Sequence, residues 1–114
     1  MDNQMNIVFI GGVIAFVIYK VLKNQKIKKQ IPELKERNCR FIDVRSFSEF
    51  AAANANGTEN APLNEITKHM KKWDKSTPIA VFCASGTRSA MAKGILLKNG
   101  FKEVYNLGSW NNLK

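Results

Sequence analysis

Histidine and cysteine are scarce in this chain: its 114 residues include one histidine, His69, and two cysteines, Cys39 and Cys83. Structural zinc sites combine four such ligands, often in closely spaced pairs, and the sequence has no C-x-x-C pair. We therefore expect no metal site, and His69 lies in a lysine-rich, solvated stretch. Two cysteines are also too few for the disulfide framework of a small secreted domain.

Acidic residues are also few, with nine against eighteen lysines and arginines, which gives a formal net charge of +9. The densest group of positive charges lies near the N-terminus and comprises Lys20, Lys23, Lys26, Lys28 and Lys29. This group follows an apolar segment and has no aromatic residues interleaved, so it is typical of a flank beside a membrane rather than of a nucleic-acid interface. We expect attraction to lipid headgroups and no nucleic-acid partner.

The longest apolar run extends from Ile7 to Tyr19 and continues past Lys20, and Met1 and Met5 lengthen it on the other side. A bilayer-spanning helix needs about 20 apolar residues, and a lysine near its end can extend its amine to the interface. A signal peptide carries its charge before the apolar run, and a core helix apolar on all sides is hard to bury in a small domain. The sequence therefore predicts a membrane anchor at residues 1–24.

The lysines that follow the anchor also predict its orientation. Basic residues beside a membrane helix are retained on the cytoplasmic side. We expect a single pass through the inner (cytoplasmic) membrane, with the C-terminal domain facing the cytoplasm. Residues 25–30 are predicted to be a polar linker that continues the helix, and residues 31–114 a single small domain.

Strand and helix signals alternate along residues 31–114. Strands are predicted at 39–44, 79–82 and 104–107, and helices at 32–38, 46–53, 64–73 and 89–97. The helix starts carry Pro32 in a first turn, Ser46 with Glu49 as a capping box, and Ser89 as an N-cap. Residues 54–62 are predicted to be a loop. Because the strands are apolar along their whole length, we expect an α/β fold with a small parallel sheet flanked by helices on both faces.

The chemically informative segment begins at Cys83, where an apolar strand meets a short polar loop. The loop consists of Ala84, Ser85, Gly86, Thr87 and Arg88, and a helix follows immediately. Loop amides, the positive end of the helix and the charge of Arg88 all favour a thiolate over a thiol. Gly86 permits the tight turn that such a loop needs. We interpret Cys83 as a nucleophile.

A thiolate in this setting can attack the outer sulfur of a small donor such as thiosulfate. The product is a persulfide on Cys83, and a second nucleophile (a thiol or cyanide) then removes the outer sulfur. Because the nucleophile is already ionised, the reaction needs no strong general base, no metal and no organic cofactor.

Four segments in order resemble the rhodanese homology domain, a family of sulfurtransferases. They are FIDVRSFSEF at 41–50, the stretch from Gly57 to Leu63, PIAVFCASGTRSAMA at 78–92 and GFKEVYNLGSW at 100–110. The resemblance implies that Cys83 carries the persulfide and that residues 83–88 form the active-site loop. It also implies that Arg88 is the family's loop arginine and that Asp43 and Arg45 help to hold the site together. Ser89, as the candidate N-cap of the following helix, is a further supporting residue.

One segment and one single residue depart from the family pattern. Residues 54–58 replace a frequent H-I-P-G-A segment, and Ala84 stands where the family often has arginine or lysine. The loss of that charge predicts weaker affinity for an anionic donor.

Three alternatives to a simple sulfurtransferase stay open. Cysteine phosphatases use a Cys-x5-Arg loop to surround phosphate, whereas the spacing from Cys83 to Arg88 is one residue shorter and suits sulfur better. Ala84 and the altered 54–58 segment favour a non-catalytic, membrane-tethered binding module. A third alternative is a relay that hands the persulfide sulfur to an acceptor protein at the membrane.

Overall fold

The computed structural model describes residues 2–114, with side chains described from Gln4 onward; Met1, the first residue of the predicted anchor, lies outside this range. The helices are α1 (Asp2–Glu36), α2 (Phe47–Ala52), α3 (Ile66–His69) and α4 (Thr87–Lys98). The strands are β1 (Arg40–Asp43), β2 (Glu59–Asn60), β3 (Ile79–Cys83) and β4 (Val104–Ser109). Short 3₁₀ segments occupy Leu63–Glu65, Met70–Lys72 and Trp110–Leu113.

The four strands form one sheet in the order β2-β1-β3-β4, and every neighbouring pair is parallel. This confirms the predicted parallel sheet. The sequence did not reveal β2, which lies in the predicted loop and contributes only two residues at the sheet edge. The pairing of β3 with β4 is irregular between Val81 and Cys83, so that Cys83 pairs with Ser109.

Alternating residues of the strands supply two apolar layers, one on each face of the sheet. One layer joins Ile42, Val44 and Val81 to residues of α3 and α4, including Ile66 and Leu96. The other joins Phe41, Ala80, Phe82 and Leu107 to Ile27, Ile31 and Leu34 of α1. Helices therefore cover both faces, as expected for strands that are apolar along their whole length.

Helix α1 is a single helix that runs through the predicted linker and through Pro32. The prediction that Pro32 occupies the first turn of a separate helix is wrong. Ile27, Ile31 and Leu34 lie at helical spacing and are buried against the sheet, whereas Pro32 is exposed. The free energy gained by burying these three apolar side chains offsets the loss of the backbone hydrogen bond that a proline causes inside a helix. Part of the predicted 25–30 linker thus contributes to the core of the domain.

The first half of α1 presents apolar side chains to its surroundings. Every large apolar side chain from Met5 to Leu22 is exposed. An 18-residue window of this helix has a mean hydropathy of 2.1 and no part of it is buried in the protein. By length and composition the helix can cross a membrane, a property that it shares with many signal sequences.

Two predicted helices are confirmed in part. Helix α2 carries the predicted capping box, in which Ser46 Oγ accepts from the Glu49 amide and the Glu49 carboxylate accepts from the Ser46 amide. The predicted helix at 64–73 is divided into 3₁₀, α and 3₁₀ segments. Its apolar residues still face the core as the spacing predicted, because Ile66 and Trp73 are both buried in the layer that contains Ile42 and Val81.

Leu34 tests whether the end of α1 belongs to the folded domain. Its side chain is 1% exposed and packs on the sheet. Leu34→Ala is expected to lower the free energy of unfolding by about 3 kcal/mol, because it removes buried methyl groups and leaves a cavity. Thermal or urea unfolding of the detergent-solubilised chain measures this. Lys35→Ala, an exposed neighbour, is the control and should change stability by less than about 0.5 kcal/mol; equal effects would contradict the packing.

Candidate active site

Cys83 is the last residue of β3 and its side chain is buried, with 1% of its surface exposed. β3 is an inner strand of the sheet, paired with β1 on one side and β4 on the other. All four strands are parallel, so the segments that follow them meet at one edge. Ligands of open parallel sheets bind beyond the carboxyl ends of the strands. The sulfur thus lies at the edge of the fold where a site is expected.

The loop after Cys83 turns a backbone amide towards the sulfur. The Gly86 amide donates a hydrogen bond to Cys83 Sγ at 3.0 Å. Gly86 has a φ of +101°, and a Cβ at this position would lie 3.3 Å from the Gly108 Cα. The left-handed conformation and the close approach of β4 both favour glycine here. Gly86 therefore allows the loop to fold back over the sulfur.

Helix α4 begins two residues earlier than the sequence predicted. Gly86 precedes its first residue, Thr87, and the Ala90 amide donates to the Gly86 carbonyl at 3.0 Å. The prediction that Ser89 is the N-cap is therefore wrong. Ser89 lies in the first turn with its side chain fully buried, which is possible because the preceding glycine starts the helix without a side-chain cap.

Ser89 instead contacts the sulfur and Asn106, a residue that is not among the predicted site residues. Ser89 Oγ lies 3.5 Å from Cys83 Sγ and 2.7 Å from Asn106 Oδ1, and its one hydroxyl hydrogen can be donated to either of them. Asn106 Oδ1 also accepts from the Gly108 amide at 3.0 Å, and Asn106 Nδ2 donates to the Gly86 carbonyl at 3.2 Å. Asn106 thus joins the loop to β4. The only signal for it was an amide side chain inside an otherwise apolar strand.

The surroundings of the sulfur act on its pKa in opposite directions. Burial raises the pKa of the Cys83 thiol, but hydrogen bonds from the Ser89 side chain and from the amides of Ser89, Ser85 and Gly86 outweigh burial and lower it below its ordinary value. Hydrogen bonds to the charged form stabilise a thiolate. Cys39, by contrast, is a half-buried free thiol whose pKa is raised to about 11, chiefly by burial. The two cysteines therefore differ in their readiness to ionise.

Arg88 makes its strongest contacts with a carboxylate rather than with the sulfur. Its two terminal nitrogens donate to the two carboxylate oxygens of Glu49, at 2.6 and 3.1 Å. The hydrogen bond to Arg88 lowers the pKa of Glu49 to about 2, so the carboxylate is ionised throughout the neutral range. The hydrogen bond to Glu49 is also the largest cause that raises the pKa of Arg88, and Cys83 contributes less. The positive charge expected beside Cys83 is therefore largely shared with Glu49.

Asp43 and Arg45 form a buried ion pair below the site. Arg45 donates to both Asp43 carboxylate oxygens, at 2.8 to 3.0 Å, and to the Ala53 carbonyl at 2.7 Å. Its guanidinium lies over the Trp110 ring, 4.4 Å from the centroid. Asn60 donates to the carbonyls of Asp43 and Arg45. The pair thus joins β1, β2 and the C-terminal segment, and it holds the segments around the site rather than contacting the sulfur directly.

The outer surface of the loop is open. Ala84, Ser85 and Thr87 are exposed, and they line a cavity of about 700 Å³ together with residues of β4 and α1. Ser85 and Thr87 hydroxyl oxygens lie 3.5 Å apart at its rim. The predicted site residues therefore have three positions. Ser85, Gly86 and Ser89 surround the sulfur of Cys83, and Ala84 and Thr87 lie on the exposed surface of the loop. Asp43, Arg45 and Arg88 organise the neighbouring segments.

The roles of Ser89 and Arg88 predict different effects on the thiol. Ser89→Ala removes a hydroxyl from beside the sulfur and is expected to raise the pKa of Cys83 towards that of free cysteine, about 8.5. Arg88→Ala is expected to raise it less, because the guanidinium is engaged by Glu49. Both values come from the pH dependence of alkylation rate in a Cys39→Ser background. A larger effect of Arg88→Ala would show that the arginine charge, not the hydroxyl, governs ionisation.

A family model described as Rhodanese-like domain matches residues 24–114. The chain belongs to this family. The match starts within α1, before the predicted linker, which agrees with the burial of Ile27 and Ile31 in the core. The fold, with its parallel sheet covered on both faces, is that of the family's solved structures.

The relatives of this chain include both an uncharacterized protein and named enzymes. YqhL of Bacillus subtilis, named as an uncharacterized protein, is 29% identical over 111 residues, which cover 94% of this chain and 88% of the relative. The thiosulfate sulfurtransferase GlpE of Pseudomonas aeruginosa is 25% identical over 79 residues, covering 69% of this chain and 72% of that protein. The relatives also include tRNA uridine(34) hydroxylases, of which the chain spans 33% or less.

The solved structures give the same family. A structure titled "rhodanese with anions from E. coli" superposes with a TM-score of 0.61 at 30% sequence identity, and the aligned region covers 65% of this chain and 89% of that one. The family thus includes thiosulfate sulfurtransferases, and the fold of this chain is theirs.

Proposed function

We propose that this chain is a membrane-anchored sulfurtransferase that carries sulfane sulfur on Cys83. The observation that carries the proposal is the contact of the Gly86 amide with Cys83 Sγ at 3.0 Å, in a buried site that also offers the Ser89 hydroxyl. A thiolate held by such donors is a nucleophile that needs no base. Similarity to a thiosulfate sulfurtransferase from Pseudomonas aeruginosa supports the same activity.

The first half-reaction forms one sulfur–sulfur bond and breaks another. The Cys83 thiolate attacks the outer sulfur of thiosulfate, the new bond gives Cys83–S–S⁻, and the electron pair of the old bond leaves with sulfite. Charge balances, since a thiolate and a thiosulfate dianion become a persulfide anion and a sulfite dianion. The donors that favour the thiolate also favour the persulfide anion, because they present hydrogens to a negatively charged sulfur.

The second half-reaction returns the enzyme to its starting state. An acceptor thiolate or cyanide attacks the outer sulfur of the persulfide, and the bonding electron pair returns to Cys83 as the thiolate. The open cavity beside Ala84, Ser85 and Thr87 gives a small acceptor, or the exposed thiol of an acceptor protein, a route to the loop. The proposal therefore includes both detoxification and relay acceptors.

The proposal also places the chain in the inner membrane, with the domain on the cytoplasmic side. Its support is the exposed apolar half of α1 and the lysines that follow it, together with the retention of basic flanks in the cytoplasm. Protease treatment of inverted and right-side-out vesicles tests the orientation. We expect the domain to be digested only in inverted vesicles. Digestion only in right-side-out vesicles would show that the domain faces the other side of the membrane.

Intact-mass measurement tests the activity. The full-length chain is incubated with thiosulfate in detergent, freed of excess donor and weighed. A product one sulfur atom heavier is expected, and it should persist in Cys39→Ser because the thiol of Cys39 is half-buried with a raised pKa. No sulfur gain from any sulfane donor would favour the non-catalytic binding module, and hydrolysis of an aryl phosphate without sulfur gain would favour a phosphatase.

A further inference from the structure

The connection between α1 and β1 places the membrane-proximal part of α1 beside the active-site loop. The C-terminus of α1 leads into the start of β1, and Leu34, Ile31 and Ile27 pack successively along the sheet. Followed backwards from Leu34, the helix therefore runs towards the carboxyl edge of the sheet. There Asn112 Nδ2 donates to Asn24 Oδ1 at 3.4 Å. The helix leaves the domain on the side of the site, not on the opposite side.

A cavity lies between this part of α1 and the loop. Its volume is about 700 Å³. Lys20, Lys23 and Asn24 line it from the helix, and Ala84, Ser85 and Thr87 line it from the loop. The basic flank, which the sequence alone assigns to the membrane surface, thus also forms one wall of the cavity beside the loop.

The charges of this cavity are of one sign. Its lining residues, all within the described part of the chain, include two lysines and no carboxylate. Among the ion pairs formed by residues 4–114, none involves Lys20 or Lys23. Their amines lie over aromatic rings of α1, 5.7 Å from the centroid of Phe16 and 5.8 Å from that of Tyr19. Such contacts leave the hydrogens of an ammonium group available to an anion.

We propose that Lys20 and Lys23 bind the anionic sulfur donor, as the wall of the site opposite the loop. This inference rests on the proposed function and names the part of the chain that recognises the substrate. Ala84 provides no charge in the loop, and the guanidinium of Arg88 is paired with Glu49. Two lysines from the anchor helix supply the cations that a sulfonate-bearing donor requires. Donor recognition is thereby tied to the segment that meets the membrane.

Steady-state kinetics of the full-length chain in neutral detergent tests this. Lys20→Gln/Lys23→Gln is compared with Lys28→Gln/Lys29→Gln, which removes the same charge from the same helix at lysines that do not line the cavity. The first variant is expected to raise KM for thiosulfate roughly five- to tenfold with kcat changed less than about twofold, because it removes binding made alike to substrate and transition state. The second should leave both within about twofold.

Two further measurements sharpen the assignment. Benzenethiosulfonate, a donor with one negative charge, should lose less affinity in Lys20→Gln/Lys23→Gln than thiosulfate, which has two. Raising the salt concentration should increase the wild-type KM for thiosulfate, and this dependence should be smaller in the variant, because exposed charges are screened. A neutral detergent contains no anionic lipid, so these effects are expected without headgroups.

The outcomes separate the inference from the proposed function. If the two double variants have the same KM for thiosulfate and sulfur is still loaded onto Cys83, the proposed role of Lys20 and Lys23 is overturned. The proposed sulfurtransferase activity would then still stand. A difference seen only in vesicles with anionic lipid would assign the lysines to headgroups and also overturn it. Failure of the wild type to take sulfur from any donor would remove the proposed function and the inference with it.

Discussion

Replacing Cys83 by serine is expected to abolish sulfur transfer, with a rate at least roughly a thousandfold below that of the wild type. A serine hydroxyl in the same place is not ionised near neutral pH. The groups that contact the sulfur in the described structure, the Ser89 hydroxyl and the Gly86 amide, are not bases that could activate it. The substitution exchanges sulfur for oxygen at a buried position and is expected to leave the fold intact. The measurement is the rate at which sulfite is released from thiosulfate in the presence of a thiol acceptor.

The second cysteine provides the matched control for this loss. Cys39→Ser makes the same atomic change at a half-buried thiol whose pKa is raised to about 11, and it should retain wild-type rates within about twofold. Far-ultraviolet circular dichroism of both variants reports the fold. Sulfite release that survives in Cys83→Ser and is lost in Cys39→Ser would move the nucleophile to the other cysteine and contradict the assignment.

Loss of the Asp43 carboxylate is expected to destabilise the domain strongly. Asp43 is fully buried and Arg45 is 4% exposed, so Asp43→Asn leaves the guanidinium buried without its counter-charge. Breaking one partner of a buried pair costs about 3–5 kcal/mol. Urea unfolding followed by tryptophan fluorescence measures it, because the Trp110 ring lies 4.4 Å from the Arg45 guanidinium. Part of the variant is expected to be unfolded without denaturant.

An exposed ion pair between β1 and β2 serves as the control. Arg40 and Glu59 approach to 3.7 Å with side chains that are 39% and 50% exposed. Glu59→Gln removes one carboxylate charge, as Asp43→Asn does, and is expected to cost less than about 1 kcal/mol because water and salt screen the pair. Similar losses in the two variants would show that burial does not govern the Asp43–Arg45 pair.

Local signals were sufficient to predict three of the four strands and the capping box. An apolar run that ends at Cys83, followed by a glycine-containing loop, defines a strand, a turn and a helix start within ten residues, and the structure has them in that order. The spacing of Ser46 and Glu49 likewise requires only residues three apart. Patterns of this kind depend on neighbours in the chain, which a sequence displays directly.

Contacts between distant segments could not be predicted in the same way. Asn106 reaches Ser89 and Gly86 only because β4 lies beside β3, and Glu49 engages Arg88 across 39 positions of the chain. The continuous course of α1 through Pro32 depends on the burial of Ile27 and Ile31 against the sheet. In each case tertiary packing decides a feature that local propensity leaves open or disfavours.

Helix α1 shows the same limit at a larger scale. Its apolar run and lysines could be read from the sequence, but the position of Lys20 and Lys23 beside the loop after Cys83 follows from how α1 packs on the sheet. A flank that composition assigns to the membrane alone therefore also borders the cavity beside the loop that follows Cys83.

The ionisation of Cys83 tests the central claim most directly. In a Cys39→Ser background, the rate of alkylation by iodoacetamide is measured against pH. Because the hydrogen bonds from Ser89 and from the loop amides outweigh burial and lower the pKa of Cys83, the rate should rise with pH through a midpoint below about 8.5, the value for free cysteine, and level off above it. A midpoint at or above the value for free cysteine would contradict the account, because the loop would then not stabilise a negatively charged sulfur.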